Sequence, residues 1–266
     1  MKRLKKYIAI LLVAVFTAYI LPAGVFAETV GPDGQGRITA IVELEDGVSP
    51  YDAARRFAKA LPGMKVNYIY DTLIVGFSAE IDASQVGKVA RFAGVKSVSE
   101  EAVYAAPKSD DSGPSLEFAE GSVKVSLRAD ELGGEGTLVA VLDSGFDVNH
   151  PLFKLTNPSK AALKEYDVRA LKGKLKAKAA AYVSPKIPFA YDYADKDQNV
   201  FSIEPHGTGV AAIIAGNGKD YEGVAPEAQL LLMKVFGMFG TTSESDVLAA
   251  LEDAVTLGAD VINLSL

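Results

Sequence analysis

LVAVLDSGFD, residues 138–147, is the stretch on which the reading of this chain turns. Leu138 to Leu142 run without a polar residue and stop at Asp143-Ser144-Gly145. A strand buried on both faces has this pattern, and the abrupt carboxylate marks a rim suited to chemistry. Two further apolar strands, Gln229 to Val235 and Asp260 to Leu266, share the pattern. Helical stretches lie between them. One opens at His206-Gly207-Thr208 and continues in small residues from Gly209 to Gly216. Another begins at the capping-box spacing Ser243-Glu244-Ser245-Asp246, repeats Val247, Leu248, Leu251, Ala254 and Val255, and stops at Gly258. Alternation of this kind predicts an α/β domain: a parallel sheet with helices on both faces.

Outward from that domain, the first residues carry Lys2, Arg3, Lys5 and Lys6 ahead of an apolar run from Tyr7 to Ile20, then Pro22, Gly24 and Val25-Phe26-Ala27. This is the pattern of a secretory signal cut after Ala27, since Pro22 and Gly24 interrupt a membrane anchor. Losing those four cations takes the formal charge from −7 to −11. So acidic a chain is a poor partner for nucleic acid or anionic lipid. It has no cysteine, so its stability rests on core size and not on disulfides.

From Arg37 to Val103 the pattern is strand, helix, strand, strand, helix, strand, a small α+β ferredoxin-like unit of the split βαβ kind. The expected elements are a strand over Arg37–Glu45, a helix over Tyr51–Leu61, a hairpin of Lys65–Tyr70 and Leu73–Ser78 turning at Asp71-Thr72, a helix over Asp82–Phe92, and a strand over Val95–Val103. Residues 105 to 122 are rich in Pro, Ser, Gly and Asp and read as an exposed linker before a short helix over Val123–Leu132. Within the long connection 154–200, LKGKLKAKAAAY (residues 171–182) is expected to be a solvated surface helix. The division is therefore 1–27 signal peptide, 28–107 small module, 108–121 linker and 122–266 the α/β domain.

Nucleophilic acyl chemistry needs a hydroxyl or thiol, a base, and a carboxylate that holds the base in one tautomer. Asp143 at a strand end and His206 at a helix start can supply the last two above the carboxyl edge of the sheet. The other histidine, His150 in Asn149-His150-Pro151, reads as a turn or packing residue, and the two have no zinc-site spacing. Nucleotide binding is disfavoured because no GxGxxG or GxxxxGK[ST] pattern follows the first two strands of the domain.

Taken in order, LVAVLDSGFD, HGTGVAAIIAG, GVAPEAQLLLMKVFG and ADVINLSL closely resemble the subtilisin-like serine peptidases. The order Asp then His is the one established for subtilisin. Residues 28–107 look like that family's inhibitory propeptide. KIPFAYDYADKD and the lengthened Asp-to-His connection further resemble the cell-envelope proteinases of Gram-positive bacteria.

The resemblance implies a secreted serine endopeptidase zymogen acting on polypeptide substrates, with Asp143 orienting the base and His206 as the base. Gly240, Thr241 and Thr242 would offer a backbone edge to an extended peptide, opposed by Leu264, Ser265 and Leu266. Met238 and Phe239 would either line side pockets or pack as a loop on their own helix. Gly209 stands where the family motif HGTHVA has its second histidine, which is not the base. The family's oxyanion asparagine and its nucleophilic serine, in a GTS motif, would fall beyond Leu266, so the 266-residue chain is expected to be a fragment without peptidase activity. The chemistry needs no cofactor. Structural calcium is a family habit, with Asp147, Asp192, Asp195 and Asp197 the candidate acids, although a solvated acidic loop is the stronger reading of them. Cell-wall attachment would come through later regions. The competing reading is a noncatalytic inhibitor or binding protein whose functional part is residues 28–107.

Overall fold

The computed structural model describes residues 36–106 and 133–265. The signal, the linker, the helix expected over Val123–Leu132, and Leu266 lie outside the described residues. The chain divides into two compact units.

The first unit takes the described part of Met1–Tyr104 with Leu171–Lys178 and Thr241–Gly258. β1 (Arg37–Leu44), β2 (Lys65–Tyr70), β3 (Gly76–Asp82) and β4 (Val95–Glu100) form an antiparallel sheet in the order β2-β3-β1-β4. Alternate residues point to one face, so Ala40, Val42 and Leu44 of β1 join Phe77, Ala79 and Ile81 of β3 in the core. α1 (Pro50–Ala60) starts where Ser49 accepts from the Asp52 amide and Pro50 presets the first turn, and it buries Ala53, Ala54 and Phe57. Phe57 meets Phe77 edge-on at 5.5 Å and stacks on Phe92 at 4.3 Å. The βαββαβ order is the one read from the sequence.

Three local expectations change. The helix expected over Asp82–Phe92 is a 3₁₀ turn, Ala83–Gln85, capped by Asp82, followed by the single turn α2 (Val86–Val89). The last strand breaks after Glu100 and resumes as β5 (Val103–Ala105), which pairs with β9 (Thr241–Ser243). The second hairpin strand begins at Gly76 and not at Leu73.

The reason for this late start lies on α5 (Glu244–Leu257), which begins where Ser243 accepts from the Asp246 amide and ends at Gly258 in the left-handed region, φ 85°. The fully buried Glu252 carboxylate of α5 accepts from the amides of Asp71 (3.1 Å), Thr72 (3.1 Å), Leu73 (2.8 Å) and Ile74 (3.4 Å). Those amides are therefore turned to a carboxylate and not to a ladder.

Residues 171–178 also depart from expectation. The helical part ends with α3 (Glu165–Leu171), after which Leu175 and Ala177 are buried. Asp253 of α5 accepts from the amides of Lys176 (2.7 Å) and Ala177 (2.9 Å), holding the segment in a run of turns in place of a helix.

The second unit takes Ala105–Ala170, Ala179–Gly240 and Ala259–Leu266. β6 (Leu138–Asp143), β7 (Phe189–Asp192), β8 (Gln229–Lys234) and β10 (Val261–Leu264) form a parallel sheet in the order β10-β6-β8-β7. Every residue of β6, β7 and β8 is buried, which is why their sequences do not alternate. α4 (His206–Ala215) lays Ala211, Ala212 and Ala215 against Val139, Val141, Leu230 and Leu232. These small side chains let the helix approach closely and bring its first turn to the strand ends. Among the described residues, no helix is long and apolar enough to cross a membrane.

Candidate active site

Asp143 ends β6, with its side chain 1% exposed, and its Oδ1 accepts from the Ser144 amide (2.7 Å) and hydroxyl (3.1 Å). The chain then turns at Gly145, whose φ of 142° suits glycine. A Cβ there would lie 2.6 Å from Ser202 Cβ and 2.9 Å from Val200 O. The turn is held by the Phe146 amide, which donates to Val200 O at 2.7 Å.

His206 is the first residue of α4, and its Nδ1 lies 2.8 Å from Asp143 Oδ1. Gly207 makes that approach feasible: a Cβ on it would fall 2.4 Å from Gly145 O and 2.9 Å from Asp143 Oδ1. Because the carboxylate only accepts, the contact places the proton on Nδ1 and leaves Nε2 as a lone-pair acceptor. The imidazole is 58% exposed, and Asp143 is its one hydrogen-bond partner among the described residues. Asp143 Oδ2 is buried with no hydrogen-bond partner among the described residues, so the carboxylate's bonds all run through Oδ1, to His206 and Ser144.

The other expected residues are distributed as follows. His150 sits in a turn, its Nδ1 accepting weakly from the Leu152 amide (3.4 Å) and its ring against Phe153. Gly240 O accepts from the Ala106 amide at 2.7 Å, and Thr241 and Thr242 lie in β9 against β5. The edge expected to receive a peptide thus holds a segment of the same chain. Leu264 ends β10 opposite Leu142 of β6, and Ser265 donates to Asn263 Oδ1 at 3.0 Å. Neither Ser144 nor Ser265 hydrogen-bonds to His206. Met238 and Phe239 are 86% and 91% exposed, so they do not pack on a helix.

Among the described residues, no three acidic or histidine side chains are grouped to hold a metal ion. Asp192 and Asp195 instead converge on the buried ammonium of Lys234, while Asp147 and Asp197 cap the amides of Asn149 (3.0 Å) and Asn199 (2.7 Å). Burial holds Asp192 above the ordinary carboxylate range, against the opposing hydrogen bonds from the Asp195 amide and Lys234. Asp143, Lys234 and Asp192 share one register row across β6, β8 and β7, so this ion cluster braces the strand ends beside the site. Sequence reasoning missed it, although a lysine closing the apolar run QLLLMK was its signal. Burial likewise pushes Lys186, which donates to Pro226 O, down to about 8.

A parallel sheet whose central strand ends in an aspartate, hydrogen-bonded to a histidine that opens a glycine-cornered helix, defines a class of protein that comparison makes specific. Residues 134–266 match the subtilase family, and residues 42–106 match peptidase inhibitor I9. The chain belongs to the subtilase family and carries an I9 inhibitor domain ahead of the subtilase part. It is 35% identical over 209 residues to the PII-type proteinase of Lacticaseibacillus paracasei, covering 74% of this chain and 11% of that protein. The C5a peptidase of Streptococcus pyogenes serotype M3 is 40% identical over 141 residues, 50% of this chain and 12% of that protein. The chain therefore spans about a tenth of the length of these curated relatives. The epidermin leader peptide processing serine protease of Staphylococcus aureus shares the fold, with a TM-score of 0.56 and 17% identity over 86% of this chain and 50% of that one.

Proposed function

We propose that the protein to which this chain belongs is a secreted serine endopeptidase made as a zymogen. The observation that carries this reading is the 2.8 Å contact between His206 Nδ1 and the buried Asp143 carboxylate. In the proposed reaction His206 Nε2 takes the proton of a serine hydroxyl as that oxygen attacks a peptide carbonyl. Asp143 stabilises the imidazolium that results, and His206 then returns the proton to the leaving amine. The serine comes from outside residues 1–266, so the 266-residue chain does not turn over peptide.

Gly240–Thr242 and Leu264–Leu266 would bind substrate main chain as added strands. In the zymogen the segment near Val103–Ser109 takes that place as a product-like inhibitor; the pairing of β5 with β9 supports this role. Processing falls between Pro107 and Glu120, and export follows cleavage after Ala27, with retention at the cell wall through other regions of the protein. The chemistry is carried by protein groups, and any structural calcium is held by residues other than the acids engaged by Lys234.

The test is a fluorophosphonate probe applied to the 266-residue chain and to the product of the full reading frame, with Asp143→Asn and His206→Ala beside the parent. The full-frame parent labels, the two variants label slowly, and the 266-residue chain does not label. Equal labelling of parent and variants removes the base assignment. A full-frame product that never labels favours a noncatalytic inhibitor instead.

A further inference from the structure

Lys176 lies in a stretch whose composition suggests solvent, yet its side chain is 6% exposed. Its Nζ is 2.7 Å from Asp71 Oδ1 and 2.9 Å from Glu252 Oε2, and the backbone beneath it is pinned by Asp253. The second Asp71 oxygen is held by the Tyr51 hydroxyl at 2.8 Å. We propose that residues 171–178 are a recognition element for the module of residues 37–104, in which Lys176 selects the module by the carboxylate at position 71.

The four amides bound by Glu252 are main chain, so any loop of the same shape would satisfy that carboxylate whatever its side chains. Lys176 adds a side-chain requirement. A neutral residue at 71 would leave the ammonium with Glu252 alone, and a lysine there would set two cations together at a partly buried site. The two carboxylates hold Lys176 above the ordinary ammonium value although burial pulls the other way, so its charge is retained where it is needed. The partner chemistry is thus defined: an I9-type module presenting an acid, buttressed by a tyrosine hydroxyl, on its β2–β3 loop. The consequence for inhibition rests on the zymogen reading, whereas the docking preference does not.

The test uses the full chain with a site-specific protease sequence placed within residues 108–121, cleaved so that the two pieces stay together and their dissociation constant can be measured by dilution. Lys176→Met and Asp71→Asn each raise that constant about tenfold, as expected of a partly buried ion pair. The double variant is no weaker than the worse single one. Asp71→Lys weakens the complex further. Lys96→Met, which breaks the exposed Lys96–Glu43 pair, serves as the control and changes nothing. Thermal melts of the uncut chains separate weakened docking from failed folding, and Asp71→Asn, at a residue 37% exposed, keeps the test open if Lys176→Met does not fold. Singles within twofold of the parent, or singles that add in the double variant, overturn the proposal. Inhibition of the full-frame enzyme by a bound module that lacks this coupling refutes the role of Lys176 in recognition and leaves the zymogen reading standing; coupling without inhibition does the reverse.

Discussion

Replacing Gly207 by alanine gives opposite answers depending on whether the Asp143–His206 contact exists as described. Alanine is the better helix former by about 1 kcal/mol, so on propensity alone the substitution in α4 stabilises. The structure says otherwise. The new Cβ would lie 2.4 Å from Gly145 O and 2.9 Å from Asp143 Oδ1, against an ordinary contact of about 3.5 Å. Relief needs the helix start to move by roughly 1 Å, and overpacking of this kind costs about 1–3 kcal/mol. Gly209 is an internal control, since a Cβ there meets nothing within 4 Å. Gly209→Ala should therefore gain about 0.5–1 kcal/mol while Gly207→Ala loses about 0–2 kcal/mol net. Urea unfolding of the two variants beside the parent measures the gap, which also appears as a melting difference of several degrees at about 2–4 °C per kcal/mol. Because a displacement of about 1 Å can cost about a hundredfold in rate, Gly207→Ala should also slow probe labelling of the full-frame protein. Equal stability of Gly207→Ala and Gly209→Ala would refute the packed corner and the site geometry with it.

Ser243→Ala removes the cap that accepts from the Asp246 amide and should cost about 1 kcal/mol in urea unfolding. Phe57→Ala empties a position packed against Phe77 and Phe92 and should cost about 3–5 kcal/mol, read the same way. Burial and the nearby Glu101 raise the Glu244 carboxyl above its ordinary value, so its charge opposes folding at neutral pH. Glu244→Gln should then be more stable than the parent at pH 7, an advantage that shrinks as pH falls through the raised value and is gone below about 4.3. Asp71 behaves in the opposite sense: burial raises it, but Lys176 and Tyr51 together hold it below the ordinary range. Its contribution is complete above about 3.9 and lost as pH falls further, so Asp71→Asn should flatten the acid limb of a stability curve.

What the sequence disclosed and what it hid divide along a physical line. LVAVLD was legible because burial on both faces needs nothing but apolar residues, and α5 because Ser243, Asp246 and Gly258 are local signals. The fate of residues 171–178 was not legible: lysines and alanines suit an exposed helix, and only Asp71, Glu252 and Asp253, distant in sequence, make Lys176 a buried cation. The same Glu252 takes the amides that hairpin reasoning gave to a strand over Leu73–Ser78. The helix expected after Asp82 shortened because its apolar period was carried by few residues, of which Val89 alone is buried in α2. β7 went unread because four residues, Phe189–Asp192, are too few to show a period. At the site, Asp143 and His206 were evident from strand end and helix start, whereas Lys234 and its two carboxylates needed the register of three strands.

The central claim is that His206 carries its proton on Nδ1, toward Asp143, and keeps Nε2 as the base. Nitrogen-15 NMR of the histidine rings in the 266-residue chain measures this directly. The account predicts an Nδ1-protonated neutral ring for His206 in the parent and loss of that preference in Asp143→Ala. An Nε2-protonated ring in the parent, or a spectrum that Asp143→Ala leaves unchanged, would contradict it.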